Sequence, residues 1–367
     1  MQIISLRELE EEARRRLPPA YYDYFAGGAD DEITMRANET AFGRIRLLPR
    51  VLRATGKPQI DLTLLGERLK TPVLIAPTAF HRLAHPEGEC ATARAAAAAG
   101  TIMIVSMAST VAIEEVAAAA RETGIDGDPH LWFQLYLQPD RGFTKALAQR
   151  AEAAGCKTLV VTVDSPVFGH REREIRHGFH DLPPGMCCEN LRETAPGAVP
   201  AAVRPIAFSS QFSWEDIDWL MNSTSLKIVL KGIVHPEDAR LAVQSGVAAI
   251  MVSNHGGRQL DTVPSTIELL PAIADAVGGS VPLLLDGGIR RGTDAIKALA
   301  LGASAVAIGR PVLWGLAAGG TEGVAQVLET LRTELERALA LCGCSSLREV
   351  GPELLRFQPT EASCMLS

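Results

Sequence analysis

Eight times between residues 73 and 308, a short apolar run ends in glycine or polar residues and gives way to a stretch of helical length. The runs are Val73–Ala76, Ile102–Val105, Leu131–Leu135, Thr158–Val163, Lys227–Leu230, Ala248–Val252, Pro282–Leu285 and Ala305–Ile308. They are continuous rather than alternating, as expected of strands buried on both faces in a helix-covered parallel sheet. Helices are expected over Glu87–Ala99, Ala112–Arg121, Phe143–Ala154, Pro236–Ser245, Ser265–Ala276, Gly292–Leu301 and finally Glu322–Leu341. Eight such units predict an α/β fold, a TIM (β/α)8 barrel over about residues 70–345, within a single domain spanning residues 1–367.

The boundaries have physical reasons. Gly155, Gly246 and Gly302 follow helical stretches, where a left-handed cap suits glycine. Proline and acids open helices at Pro86-Glu87 and Pro236-Glu237-Asp238. Leu6–Leu17 reads as a small amphipathic helix ahead of the barrel. A long irregular stretch follows the fourth strand; its middle, about residues 172–212, is read as a lid, and Trp214–Met221 as the helix returning to the barrel.

Composition narrows the function. Lysine and arginine number 36 against 43 acids, a net charge of −7, which argues against a general nucleic-acid binder. A hydrophobic fraction of 47% rules out a disordered chain. Seven cysteines, an odd number in a chain this long, do not make a disulfide framework, and a reducing compartment is expected. Ala95–Ile113 carries no charge, but Gly100 and four hydroxyl residues break it, so no membrane association is expected. The last four residues match a prenylation box in form only, with no polybasic stretch before them. Met365-Leu366-Ser367 is no clear peroxisomal signal, which leaves the cytoplasm as the expected compartment.

The chemistry gathers after the strands. Pro77, Thr78 and Ala79 follow the first, Ser106 the second, and Gln134 and Tyr136 close the third. Thr162 and Asp164 end the fourth, with Arg171 beyond, and Lys231 follows the fifth. Ser253-Asn254-His255-Gly256-Gly257-Arg258 follows the sixth, Asp286-Gly287-Gly288-Ile289-Arg290 closes the seventh, and Gly309-Arg310 the eighth. In a barrel all of these converge on the C-terminal mouth, where active sites lie. Glycine turns after the last two strands, with Arg290 and Arg310, suit a mononucleotide phosphate; neither a P-loop nor a dinucleotide fingerprint is present. His255 suits a base with Asp164 as its partner, and Arg258 suits a carboxylate. Only Asp164 and Asp286 accompany His255, too few donors for a metal site, and none is expected.

Ser253–Asp261, Leu285–Asp294, Tyr22–Ala29, Ile75–Ala79 and Thr162–Pro166 together resemble the FMN-dependent 2-hydroxy-acid oxidase and dehydrogenase family, over roughly residues 5 to 355. The resemblance implies FMN as cofactor. It implies that His255 removes a proton during substrate oxidation, from the α-carbon or from the hydroxyl, with Asp164 paired to it. Tyr24 and Arg258 would hold the substrate carboxylate, with Arg171 nearby, and Tyr136 would face the substrate oxygen. Pro77, Thr78, Ala79, Ser106, Gln134 and Thr162 would line the flavin ring, with Lys231 beside it. Ser253, Asp286, Gly287, Gly288, Arg290, Gly309 and Arg310 complete the implied cofactor set, the phosphate at its glycine and arginine end. Members of this family are oligomers, so a homotetramer or octamer is expected.

One departure bears on specificity. Glycolate-preferring members carry tryptophan in the turn after strand two, where this chain has Ala108. The vacated volume favours a larger 2-hydroxy acid, with a medium or long chain or an aromatic ring, because buried methylenes gain about 0.8 kcal/mol each. Phe168 could stack on an aromatic substrate or simply pack in the core, and Met107 or the lid could refill the space. The leading expectation is an oxidase that passes electrons to O2 and releases H2O2. The alternatives are a dehydrogenase using a quinone or protein acceptor, a decarboxylating monooxygenase, and a flavin-binding protein without turnover.

Overall fold

The computed structural model describes residues 4–123, 130–192 and 202–358. Eight strands close into a parallel barrel in sequence order: β1 Val73–Ile75, β2 Met103–Ser106, β3 Leu131–Leu135, β4 Thr158–Thr162, β5 Lys227–Ile233, β6 Ala249–Val252, β7 Leu283–Asp286 and β8 Ala305–Ile308. Every expected strand is present, with ends shifted by at most three residues. β8 pairs with β1, Ala307 opposite Leu74, so no edge is left open.

The pattern of two explains the two cores. Leu74, Ile104, Trp132, Val160, Val229, Met251, Leu284 and Ala307 point into the barrel and pack together. Their neighbours, among them Val73, Ile75, Val105, Phe133, Leu159 and Leu285, pack outward against the helices. The small Ala249, Ala305 and Ala307 share the interior with the fully buried Trp132, so one large ring is matched by methyls. A hairpin of Leu62–Leu64 and Glu67–Leu69 adds Leu64 and Leu69 to the same interior cluster. Its Glu67 accepts from Trp132 Nε1 at 2.6 Å.

Three helices precede the barrel: α1 Leu6–Arg16, α2 Pro19–Ala26 and α3 Ile33–Thr40. Only the first was expected. The last helix also differs, running from Arg310 to Cys342 with non-helical backbone at Gly319 and Gly320. The expected helix was Glu322–Leu341; Pro311 in the first turn costs no hydrogen bond, so the helix starts directly after β8. The stretch Ala95–Ile113 is a helix end, Gly100 in the left-handed region, β2 and a turn. In the long connection after β4, Glu172–Arg176 and Trp214–Met221 are helical. Part of the expected lid, residues 193–201, lies outside the described residues, as does the C-terminal Cys364–Ser367. Among the described residues no helix is long and apolar enough to cross a membrane.

Candidate active site

The same pattern of two builds the floor of the mouth. Two residues beyond each inward core residue stand Ala76, Ser106, Gln134, Thr162, Lys231, Ser253, Asp286 and Gly309, all but Ala76 polar or glycine. Ser106 Oγ donates to Gln134 Oε1 at 3.0 Å, and Gln134 Nε2 donates to Thr162 Oγ1 at 3.1 Å. This ties the ends of β2, β3 and β4 into one polar edge. Lys231 Nζ lies 3.8 Å from Asp286 Oδ2, and both side chains are buried. Burial raises the Asp286 carboxyl above its usual range despite the nearby ammonium. Its Oδ1 is buried with no partner.

His255 sits three residues past β6 with φ 58°, a left-handed conformation that costs a non-glycine residue about 1 kcal/mol or more. Two contacts hold it there. Its backbone N–H donates to Ser253 Oγ at 3.1 Å, and its Nδ1 lies 2.8 Å from Asp164 Oδ1. Asp164 in turn packs on Gly232, at the irregularity between Lys231 and Ile233 in β5; a Cβ there would lie 2.7 Å from Asp164 Cβ. Burial pushes the His255 imidazole down to about 4, against the upward pull of Asp164, with Lys231 and Arg171 adding to the depression. Burial alone would raise Asp164, but His255 and Lys231 hold it at about 2. At neutral pH the pair is therefore a neutral imidazole and a carboxylate. Nδ1–H must donate to Asp164, which leaves Nε2 as a lone-pair base.

Arginines, one buried and three half-buried, surround this histidine. Arg258 Nη1 donates to the carbonyls of Tyr24 at 2.7 Å and Gly27 at 3.0 Å. Arg310 donates from Nε to Phe25 O at 3.1 Å, from Nη1 to Gly256 O at 2.9 Å and from Nη2 to Gly27 O at 2.8 Å. These two guanidiniums cap the carbonyl end of α2, where free carbonyls and the helix dipole favour cations. The N-terminal helices are thus anchored by site residues. Arg171 Nε donates to Arg258 O at 3.2 Å, and its guanidinium lies 4.1 Å from the Phe168 ring centroid. Arg290 Nη2 meets Glu39 at 2.6 Å, while its Nε is a buried donor without a partner.

One cavity of about 630 Å³ joins these groups. Tyr24, Pro77, Thr78, Ala79, Ser106, Ala108, Gln134, Tyr136, Thr162, Phe168, Arg171, Lys231, His255, Arg258, Asp286, Gly287, Gly288, Arg290, Gly309 and Arg310 all line it. Asp164 and Ser253 do not; they stand behind His255 and touch it. Met107 is buried outside the lining, its sulfur accepting from Tyr136 N at 3.0 Å, so it does not fill the space at Ala108. Phe208, from the expected lid, lines the same cavity, with its ring 5.3 Å from Tyr136 and 5.7 Å from Phe168. Phe168 is 56% exposed, a rim residue rather than core.

Several lining residues escaped the sequence reading, including Phe80, Glu174, Phe179, Ile206 and Phe208. Glu174 carried a signal, three residues after Arg171 on a short helix; Phe208 carried none. Thr78 also has an unforeseen partner, His81 Nε2 at 2.7 Å, whose Nδ1 meets Thr92 Oγ1 at 3.0 Å. Burial lowers the His81 imidazole pKa, so this ring stays neutral beside the cavity.

The profile of the FMN-dependent dehydrogenase family matches residues 13–357. The chain belongs to that family. An L-lactate oxidase from Nostoc sp. is 49% identical over 363 residues, 96% of this chain and 98% of its own. A glycolate oxidase from Spinacia oleracea is 46% identical over 358 residues, 95% of each chain. A crystal structure of mandelate oxidase with benzoyl-formic acid has a TM-score of 0.87 at 42% identity, over 97% of this chain and 99% of its own.

As a member of the FMN-dependent dehydrogenase family the chain takes FMN, and the cavity offers what that group needs. The orphaned Arg290 Nε can donate to a phosphate oxygen, and the orphaned Asp286 Oδ1 can accept from a ribityl hydroxyl. Gly287 and Gly288 turn the chain at φ 95° and 82°. At Gly288 a Cβ would overlap Asn38 O at 1.9 Å, so only glycine lets α3 approach this turn. The polar edge from Ser106 to Thr162 can hydrogen-bond a flavin ring above the floor. Among the described residues no group of three or more His, Cys, Asp or Glu side chains could hold a metal ion.

Proposed function

We propose that this enzyme oxidises (S)-2-hydroxy acids larger than glycolate to 2-oxo acids, with O2 as electron acceptor: R–CHOH–COO⁻ + O2 → R–CO–COO⁻ + H2O2. The observation that carries the reading is the neutral His255, held at 2.8 Å by ionised Asp164, in one cavity with buried Arg171 and half-buried Arg258. A base facing two guanidiniums suits a carboxylate substrate with a proton to lose at the next carbon or its hydroxyl.

Bound FMN supplies the two-electron acceptor, held by Arg290, Arg310, Asp286 and the glycine turns at one end and by Pro77–Ala79, Ser106, Gln134 and Thr162 at the other. His255 Nε2 takes the substrate proton. Asp164 stabilises the imidazolium that results, the moment at which its negative charge counts most. Arg171 and Arg258 fix the carboxylate, with Tyr24 beside them. Tyr136 stays protonated, since burial and Asp164 raise its pKa further, and can hydrogen-bond the substrate oxygen. Lys231 puts a fixed positive charge on the floor of the cofactor site.

The size preference rests on Ala108 and the apolar rim of Phe168, Ile206 and Phe208, which leave room for an aliphatic chain or a phenyl ring. The solved mandelate oxidases and the Nostoc lactate oxidase are similar chains whose names carry such acids. The reading includes a cytoplasmic homo-oligomer, a tetramer or octamer, checked by light scattering and by cell fractionation.

The deciding experiment mixes the purified yellow protein anaerobically with glycolate, lactate, 2-hydroxyoctanoate and mandelate, then admits air. Bleaching fastest with the larger acids, followed by rapid return of colour and stoichiometric peroxide, supports the proposal. Fastest bleaching by glycolate removes the size preference, and slow recolouring in air moves the assignment to another acceptor.

A further inference from the structure

Glu174 is the counter-charge of the two arginines assigned to the substrate carboxylate. It follows Arg171 on the short helix Glu172–Arg176 and is 7% exposed. Its Oε1 lies 3.1 Å from Arg258 Nη2 and 3.4 Å from Arg171 Nη1, and the residue lines the cavity. One carboxylate oxygen thus bridges two guanidiniums that would otherwise repel each other in a buried place. The other contacts of both groups are neutral: carbonyls of Tyr24, Gly27 and Arg258, and the Gln259 amide.

The charge count follows. Two arginines and one glutamate leave a single net positive charge, which one substrate carboxylate neutralises. A second carboxylate on the substrate would find no free cation in this cluster. It would instead meet the Glu174 charge or the apolar rim of Ala108, Phe168, Ile206 and Phe208, where burying an unpaired carboxylate is costly. Asp181, exposed on the lid side of the cavity, adds a second negative charge there.

We propose that Glu174 makes the anion site a filter that accepts monocarboxylic 2-hydroxy acids and rejects dicarboxylic ones. The inference rests on the oxidase reading above for the role of the site. Its test does not depend on turnover.

The probes are butyrate and succinate, unreactive and equal in chain length, differing in one terminal carboxylate. Each is titrated at pH 8 into the FMN-loaded protein, with affinity read from the perturbation of the flavin absorption spectrum. In the wild type butyrate binds more tightly than succinate. In Glu174→Gln the succinate-to-butyrate affinity ratio rises at least tenfold, a factor that corresponds to about 1.4 kcal/mol. Glu174→Asp, which keeps the charge, holds the wild-type ratio. A Glu174→Gln ratio unchanged, or one that moves equally in Glu174→Asp, overturns the proposal in favour of a packing role. Wild-type protein that binds succinate as tightly as butyrate overturns it without any variant. Because neither probe is oxidised, this outcome is separate from whether any 2-hydroxy acid bleaches the flavin.

Discussion

Replacing Asp164 by asparagine removes one charge and little else. The carboxylate lies 2.8 Å from His255 Nδ1 and does not line the cavity, so cofactor and carboxylate contacts stay in place. Charges roughly 4 Å apart at an effective dielectric of about 20 interact by about 4 kcal/mol. That energy is absent while His255 is neutral and present once it holds the substrate proton, so losing it raises the barrier of the proton-transfer step. About 4 kcal/mol is a factor of about 10³ in rate, inside the usual range for general-base catalysis. The sign for pH follows as well. Asp164 pulls the His255 pKa up, so the variant imidazole falls below its present value of about 4. The assay is stopped-flow flavin reduction by (S)-mandelate in the absence of oxygen, with pH jumps from about pH 3 to about pH 9. The wild-type acid limb is expected near pH 4 rather than near the ordinary histidine value of about 6.5. The variant is expected to reduce about 10³ times more slowly at pH 7, with its acid limb shifted lower and butyrate affinity unchanged. A loss under tenfold, or a loss shared by anion binding, would refute the reasoning.

Three further outcomes follow from the same geometry. Ala108→Trp fills the space at the cavity wall, and should lower kcat/KM for mandelate at least tenfold while leaving glycolate turnover equal or better; a uniform loss across the acids would count against the size argument. Gly288→Ala forces a Cβ onto Asn38 O at a φ of 82°, so the chain should lose on the order of 2–4 kcal/mol of stability and much of its flavin, read by thermal unfolding and by the yellow colour retained through gel filtration. In flavin-free protein the depressed His255 contributes stability that is complete above about pH 6.5 and is lost as pH falls toward 4. Urea unfolding should register a loss on the order of 3 kcal/mol across that window, and His255→Asn should flatten it; an unchanged slope would show that the imidazole titrates normally.

The barrel and its floor were legible because both obey a local rule. A strand buried on both faces must be continuously apolar, and side chains alternate every second residue. The positions of Ser106, Gln134, Thr162, Lys231, Asp286 and Gly309 at or just past the C-terminal ends of their strands therefore put them at one end of any closed parallel barrel. His255, Asp164 and Arg258 were legible by residue type and position after strands. The sequence by itself determined the architecture, the end of the barrel that carries the chemistry and the charges gathered there. Only the tertiary structure decided how those charges are used. The capping of the α2 carbonyls by Arg258 and Arg310 joins residues 231 or more positions apart. The bridge of Glu174 to Arg258 and the seating of Phe208 against Tyr136 are likewise contacts between separate connections. Such contacts depend on where barrel closure brings each loop, and no local spacing encodes that distance. Burial is decided in the same way: an isolated histidine titrates near its ordinary value, and only enclosure, with Lys231 and Arg171 nearby and against the upward pull of Asp164, brings His255 down to about 4 and keeps its imidazole neutral.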